Sequence, residues 1–267
     1  MFSVNGFALD NPTLGWVVTE DSTVIASTEV DLLSLSEPGR DGVQGGLGAP
    51  TRPALVVLSI ETPRANEGTL RALFDAETLV LTEDDQDGIE AEVERASISP
   101  EVWAPADAIV ELRVTLRIPG VYWRDTDTTT SDPEAIDGAT VTTEVFPGLS
   151  APVYDALVRV KGDVSGLRVE GARGSFFEYG QNIPAGSYLR FDSATGEAFL
   201  TATDTWTGGT DVTEHITNGA PPYFLELRHS YPTPGDPTDR VAVLTVKTSA
   251  RSGSPTVEVR GRRAYAV

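Results

Sequence analysis

The sequence predicts a mainly β protein of two domains: an N-terminal β-sandwich or split-barrel-like domain with one helix over residues 1–133, and a C-terminal jelly-roll-like β-sandwich over 134–267. Three observations predict it. Apolar residues recur at every second position in short runs along most of the chain. Turn formers, 25 Gly and 18 Pro among 267 residues, interrupt those runs at short intervals. The charge divides unevenly, with 24 Asp/Glu against 8 Lys/Arg in 1–133 and 16 against 12 in 134–267. Between the halves, the Thr-, Asp-, Ser- and Pro-rich stretch 124–134 reads as a linker, and each half is close to the common domain size of ~100–150 residues.

In the first half, strands are expected at 24–35, 54–61, 89–98 and 108–118. In the last of these, Val110, Leu112, Val114, Leu116 and Ile118 alternate with Ile109, Glu111, Arg113, Thr115 and Arg117, the pattern of a strand with one wet face. The one convincing helix is 66–76. Asn66 is a suitable N-cap, Glu67 suits the positive end of the helix dipole, and Leu70, Leu73 and Phe74 form an apolar stripe. Residues 37–50 hold five glycines and two prolines with no strand period. A loop of that length is either a plain surface loop or an arm that orders against a neighbouring subunit, with Pro38, Gly39, Arg40, Asp41 and Gly42 as its contact residues. In the second half, short strands are expected at 156–161, 166–170, 187–192, 198–203, 223–229, 241–248 and 256–262, separated by Gly-containing turns.

The composition excludes much chemistry. Without cysteine there are no disulfides, thiolate metal sites or cysteine nucleophiles. A net charge of −20 argues against nucleic-acid binding by phosphate neutralisation and against an anionic membrane surface. The first ten residues lack a basic segment followed by an apolar run, so neither a signal peptide nor a membrane anchor is expected. The two histidines, His215 and His229, are not paired at metal-ligand spacing. Gly162-Asp-Val-Ser-Gly166 has the wrong spacing for a serine-nucleophile elbow and reads as a hairpin turn. With 40 carboxylates, no pair is singled out for glycoside hydrolysis. No enzyme activity, cofactor or metal is expected.

Three local features keep two readings each. Residues 83–94 place Glu83, Asp85, Asp87, Gly88 and Glu94 at calcium-loop positions, yet strand-like flanks and Glu90 at the apolar position favour a β-hairpin turning at Asp87-Gly88. Trp206, with Tyr223, Phe224 and Tyr231 near it in sequence, is either a ligand shelf or core packing. The C-terminal run 257–267, with Arg260, Arg262 and Arg263 beside Glu258, is either a basic face that docks an acidic neighbour or a solvated edge strand.

The order of several features resembles the distal tail proteins of long-tailed, non-contractile bacteriophages. These are the start Phe2-Ser-Val-Asn-Gly6, the loop Pro38-Gly-Arg-Asp-Gly42, the strand and helix of 55–76, the strand end Leu116-Arg-Ile-Pro-Gly-Val-Tyr-Trp-Arg124, and a second β-domain carrying Tyr188-Leu-Arg-Phe-Asp192 and Trp206. The resemblance implies an N-terminal belt domain that closes a homohexameric ring and a C-terminal galectin-like sandwich. It further implies a virion location at the tail tip after assembly in the host cytoplasm. The implied partners are the tail tube, the tape measure protein, and the tail-tip hub, baseplate and receptor-binding proteins, with DNA passing through without specific binding. In such a ring, the acidity of the first half predicts a channel lined or rimmed by carboxylates, with Glu83, Asp84, Asp85 and Asp87, or the acids of the 37–50 arm, as candidates. No galectin-like His-Asn-Arg run surrounds His229. The alternative reading is a carbohydrate-binding or host-adhesion sandwich that holds glycan against Trp206.

Overall fold

The alternation at 109–118 becomes the strand Ile109–Ile118, in which Val110, Leu112, Val114, Leu116 and Ile118 are buried and the intervening residues face outward. The computed structural model describes residues 2–25, 34–35, 44–45, 54–83, 88–104, 108–120, 122–219 and 224–266. The chain forms two compact units, Met1–Arg124 with Ala266–Val267, and Asp125–Tyr265.

The first unit is an antiparallel sheet. Its strands run in the order Phe7–Ala8, Phe2–Val4, Leu79–Glu83, Ile89–Ala104, Ile109–Ile118, Ala54–Pro63 and Val17–Val18, with Thr23–Ile25 also paired to Ala54–Pro63. The first and last strands of that order are joined by only residues 9–16, which are themselves pinched by reciprocal backbone bonds between Asn11 and Trp16 at 2.9 and 3.0 Å. The two ends of the sheet therefore lie one turn apart along the chain, and the sheet curls. Leu9 and Trp16 are buried on either side of that turn. Ala54–Pro63 is covered on both faces. Val56, Leu58 and Ile60 point to the core, while Val57 pairs with Thr23 and Ser59 exchanges hydrogen bonds with Ser22.

The helix is Glu67–Phe74, with Leu70 and Phe74 buried. Asn66 precedes it but makes no capping bond. Its side-chain amide instead donates to the Leu14 carbonyl at 2.7 Å, tying the helix start to the loop that joins the sheet ends. The Glu67 carboxylate accepts from Arg71 at 2.8 Å. After the helix, Leu79–Glu83 pairs with Ile89–Ala104 in the register Thr82↔Glu90, and Gly88 has φ +81°, the geometry of the hairpin reading. Asp84, Asp85 and Asp87 lie outside the described residues. Ser34–Leu35 pairs with Gln44–Gly45. Pro38, Gly39, Arg40, Asp41 and Gly42, between them, also lie outside the described residues.

The second unit is a sandwich. One sheet orders Thr129–Thr130, Thr256–Gly261, Leu157–Lys161, Tyr188–Asp192, Ala198–Thr201 and Thr210–Asp211. The other orders Thr140–Val145, Val241–Lys247, Leu167–Glu170, Phe176–Tyr179 and Ile216–Asn218. Val158, Val160, Leu189, Phe191, Val257 and Val259 from the first sheet meet Val169, Phe177, Leu244 and Val246 from the second, all buried. The Phe177 and Phe191 rings stack across the gap with centroids 4.0 Å apart.

The stretch read as a linker is structured. Thr129–Thr130 and Glu134–Ala135 both pair with Thr256–Gly261, Asp125 is 7% exposed, and the division between units falls after Arg124, ahead of the expected break after 133. Short edge strands with both side-chain rows in water need no apolar residues, so composition alone hides them. Moved to this boundary, the first unit holds 21 Asp/Glu and 8 Lys/Arg. Among the described residues, no helix is long and apolar enough to cross a membrane.

Candidate functional site

Strand register on the sandwich assembles what the sequence separates. Leu157–Lys161 pairs Arg159 with Glu258 on one side and with Arg190 on the other, and Arg190 pairs in turn with Phe199. Directly paired residues share a face. Arg159, Arg190, Glu258, Arg260, Tyr188 and Phe199 therefore all lie on the side of this sheet opposite the valine core.

The segment between Ala198–Thr201 and Thr210–Asp211 folds back over that face and lays Trp206 on it. The Arg159 guanidinium lies 4.3 Å from the Trp206 ring centroid and 5.1 Å from that of Tyr188, and Arg260 lies 5.8 Å from Trp206. Arg190 Nη1 donates to the Trp206 carbonyl and its guanidinium packs 4.7 Å from the Phe199 ring.

Arg159 is only 5% exposed. Its Nε donates to Glu258 Oε2 at 2.9 Å, and its Nη1 lies 2.6 Å from Asp204 Oδ1, close as an ion pair though not aligned as a hydrogen bond. Its charge is thus matched by two carboxylates, which is what permits the burial. Trp206 is half-buried, and beside it opens a cleft of about 350 Å³ lined by Thr128, Asp155, Leu157, Trp206, Arg260 and Arg262. Of the aromatics near Trp206 in sequence, Phe224 packs at Gly196, where an added Cβ would meet its ring at 3.0 Å, and Tyr231 stands edge-on to His229. Tyr223 lies outside the described residues. The companions of Trp206 are three arginines, Arg159, Arg190 and Arg260, which no local motif announces.

His229 is held below the usual imidazole range by burial first and by repulsion from Arg228 and Arg240 second, so it is neutral at pH 7. His215 faces Glu214 at 3.5 Å at the end of a short 3-10 turn. Ser165 Oγ lies 3.5 Å from Ser249 Oγ, a hydroxyl that is no base. Among the described residues, no group of three or more His, Asp or Glu is placed to hold a metal ion.

In the first unit, Glu83 is half-buried at the end of its strand, in register with Phe2. The clearer acidic feature lies just beyond the hairpin turn. Ala91 and Val93 are buried, which places Glu90, Glu92 and Glu94 together on the opposite face of Ile89–Ala104. Glu94 accepts from Arg117 Nε at 3.2 Å. The alternation Glu90-Ala-Glu92-Val-Glu94 carried this signal in the sequence.

A third cluster closes the second unit. The Asp125 carboxylate accepts from Arg263 Nε at 2.7 Å, Arg263 Nη2 and backbone N at 3.3 Å, and Tyr265 Oη at 2.8 Å. Burial first, and then this hydrogen bond, push the Tyr265 phenol up to about 12.

The fold has a solved counterpart. The chain matches the crystal structure of phage SPP1 Dit (gp 19.1), described as a paradigm of the hub adsorption apparatus in phages infecting Gram-positive hosts. The TM-score is 0.59 at 9% identity, over 98% of this chain and 99% of that one. It has the Dit fold. Two structures of the phage p2 baseplate in its activated conformation, with Sr and with Ca, match at TM-scores of 0.32 and 0.30. Their identities are 9% and 10%, over 92% and 87% of this chain and 90% and 86% of theirs. No protein-family model matches the sequence, and no curated protein matches it.

Proposed function

We propose that this chain is a structural hub protein of a phage tail, of the Dit kind. The observation that carries the reading is the end-to-end likeness to SPP1 Dit, which spans both units rather than one common β-module. In this reading the first unit is the belt, and six copies close a homohexameric ring. The ring joins the tail tube and the tape measure protein to tail-tip hub, baseplate and receptor-binding proteins, and the protein resides in the virion at the tail tip. No reaction is catalysed. Support comes from the solved counterpart, a hub protein of the phage adsorption apparatus rather than an enzyme.

DNA would pass through such a ring without binding it. An excess of carboxylates in the first unit, 21 against 8 cationic side chains, repels a duplex that carries about one negative charge per ~1.7 Å. Glu83, Glu90, Glu92 and Glu94 are the described candidates for the channel wall, with Asp84, Asp85 and Asp87 beside them in sequence. Only residues within about 8 Å of the passing duplex act at physiological salt.

Light scattering of the purified protein is expected to give about 170 kDa, six copies of 28.4 kDa, with six-fold rings in negative-stain images. A mass of 28.4 kDa at every concentration overturns the ring. A ring whose channel is neutral or basic overturns the acidic wall.

A further inference from the structure

The face under Trp206 holds a cation with no carboxylate partner among the described residues. Arg159 is matched by Asp204 and Glu258, and Arg190 is engaged by the Trp206 carbonyl. Arg260 is different. Its strand neighbours in register are Thr130 and Leu157, neither of them acidic. Among the described residues its guanidinium has no hydrogen-bond or carboxylate partner, and its one contact is the Trp206 ring at 5.8 Å. Arg260 is half-buried, so its charge is partly desolvated without a matching carboxylate.

It also sits in the right kind of place. Trp206 is only half-buried, and it lines the cleft that opens beside it. Trp206, Arg260 and Arg262 line the same cleft of about 350 Å³, within the ~300–1,000 Å³ range of small-ligand sites. The rim adds the Thr128 hydroxyl, which can donate to or accept from a sugar hydroxyl, and the Asp155 carboxylate, which can accept from one. An indole face takes the apolar face of a pyranose, and a guanidinium beside it takes a carboxylate or phosphate in bidentate fashion.

We propose that this cleft binds an anionic saccharide, one pyranose on Trp206 with its carboxylate or phosphate on Arg260. The unmatched guanidinium is what separates this from a neutral-sugar site: a neutral ligand would leave a partly desolvated charge unpaired. The size of the cleft fits one or two sugar rings rather than a protein surface. A nucleic acid would meet the overall charge of −20 as repulsion. The site is complete within one chain and does not rest on the ring.

Isothermal titration of the full-length protein tests it with three probes: trigalacturonate, its neutral methyl ester, and mannose 6-phosphate. Binding of trigalacturonate, mannose 6-phosphate or both is expected, and which of them binds says whether carboxylate or phosphate is the preferred anion. The methyl ester is expected to bind at least tenfold more weakly than trigalacturonate. Arg260→Gln should weaken the anionic probe roughly tenfold. Trp206→Ala should abolish binding, and Trp206→Phe should keep part of it, with unchanged melting temperatures showing that the variants fold. No binding of either anionic probe at millimolar concentration overturns the proposal. So does equal binding of the methyl ester, or a fully folded Arg260→Gln that binds as the wild type does. Light scattering of the same samples reads the ring separately, so failure of one proposal is distinguishable from failure of the other.

Discussion

Replacing Asp125 by Asn changes one atom and tests what holds the ends of the second unit together. The carboxylate accepts from three groups of Arg263 and from Tyr265 Oη, and its side chain is 10% exposed. In Asp125→Asn one acceptor oxygen becomes an NH₂ donor, and because both oxygens accept from Arg263, that NH₂ faces a guanidinium N–H whichever way the amide turns, donor against donor. The guanidinium also loses its counter-charge. Breaking a buried pair costs about 3–5 kcal/mol. Here Arg263 is 37% exposed and one of its nitrogens already donates to the Pro147 carbonyl at 3.2 Å, so water recovers part of that cost. About 2–3 kcal/mol remains, which for a unit of this size lowers the melting temperature by roughly 5–10 °C. Differential scanning calorimetry at pH 7 reads it directly. In addition, Arg263→Leu combined with Asp125→Asn should cost less than the two separately, because the double variant leaves no unpaired cation. A shift under about 2 °C, or full additivity in the cycle, refutes the reasoning.

The Tyr265 phenol titrates near 12 in the folded chain against about 10 when unfolded, so its contribution is fully present below pH 10 and is lost as pH rises from 10 to 12. Tyr265→Phe should flatten that part of a urea-midpoint profile by about 1–2 kcal/mol after solvent screening, and an unchanged slope would exclude Tyr265 as its source. Phe177→Ala removes one of the two stacked rings between the sheets and should destabilise the sandwich by about 3–5 kcal/mol in urea; a loss below about 1 kcal/mol would show that the stack is incidental. Gly171→Ala would place a Cβ 2.3 Å from the Glu226 carbonyl oxygen, which accepts from Ala172 N at 2.8 Å, and should cost about 1–3 kcal/mol by forcing that strand connection apart. A wild-type melting curve for Gly171→Ala would contradict the close approach.

What the sequence made legible followed burial. Ile109–Ile118 has one wet face and one dry face, so its alternation is visible residue by residue. Thr140–Val145 is an edge strand with a single buried side chain, and its threonines give no apolar period to find. Phe176–Tyr179 sits between Gly174 and Gly180, which read as turn punctuation and obscured the four residues between them. Asn66 showed the same limit at the scale of one side chain: its identity marked the helix start correctly, while its bond goes to Leu14, far off in sequence. The Trp206 face failed to show for a different reason. Alternation placed Arg159, Arg190 and Arg260 on strand faces, but only register makes them neighbours, and register is set by pairing between distant segments. The acidic stripe Glu90, Glu92, Glu94 needed no such pairing and was open to reading from the sequence alone.

The hydrogen bond from Tyr265 to Asp125 joins the last residue of the second unit to its first. The second unit is therefore one excursion of the chain, entered at Asp125 and left at Tyr265, with that hydrogen bond as its gate. Lengthening such an excursion carries an entropic penalty that grows only with the logarithm of its length. A larger module, a different module, or a short turn could stand in the same place with the same two ends. The gate residues Asp125, Arg263 and Tyr265 mark where such an exchange of parts would be cut and rejoined.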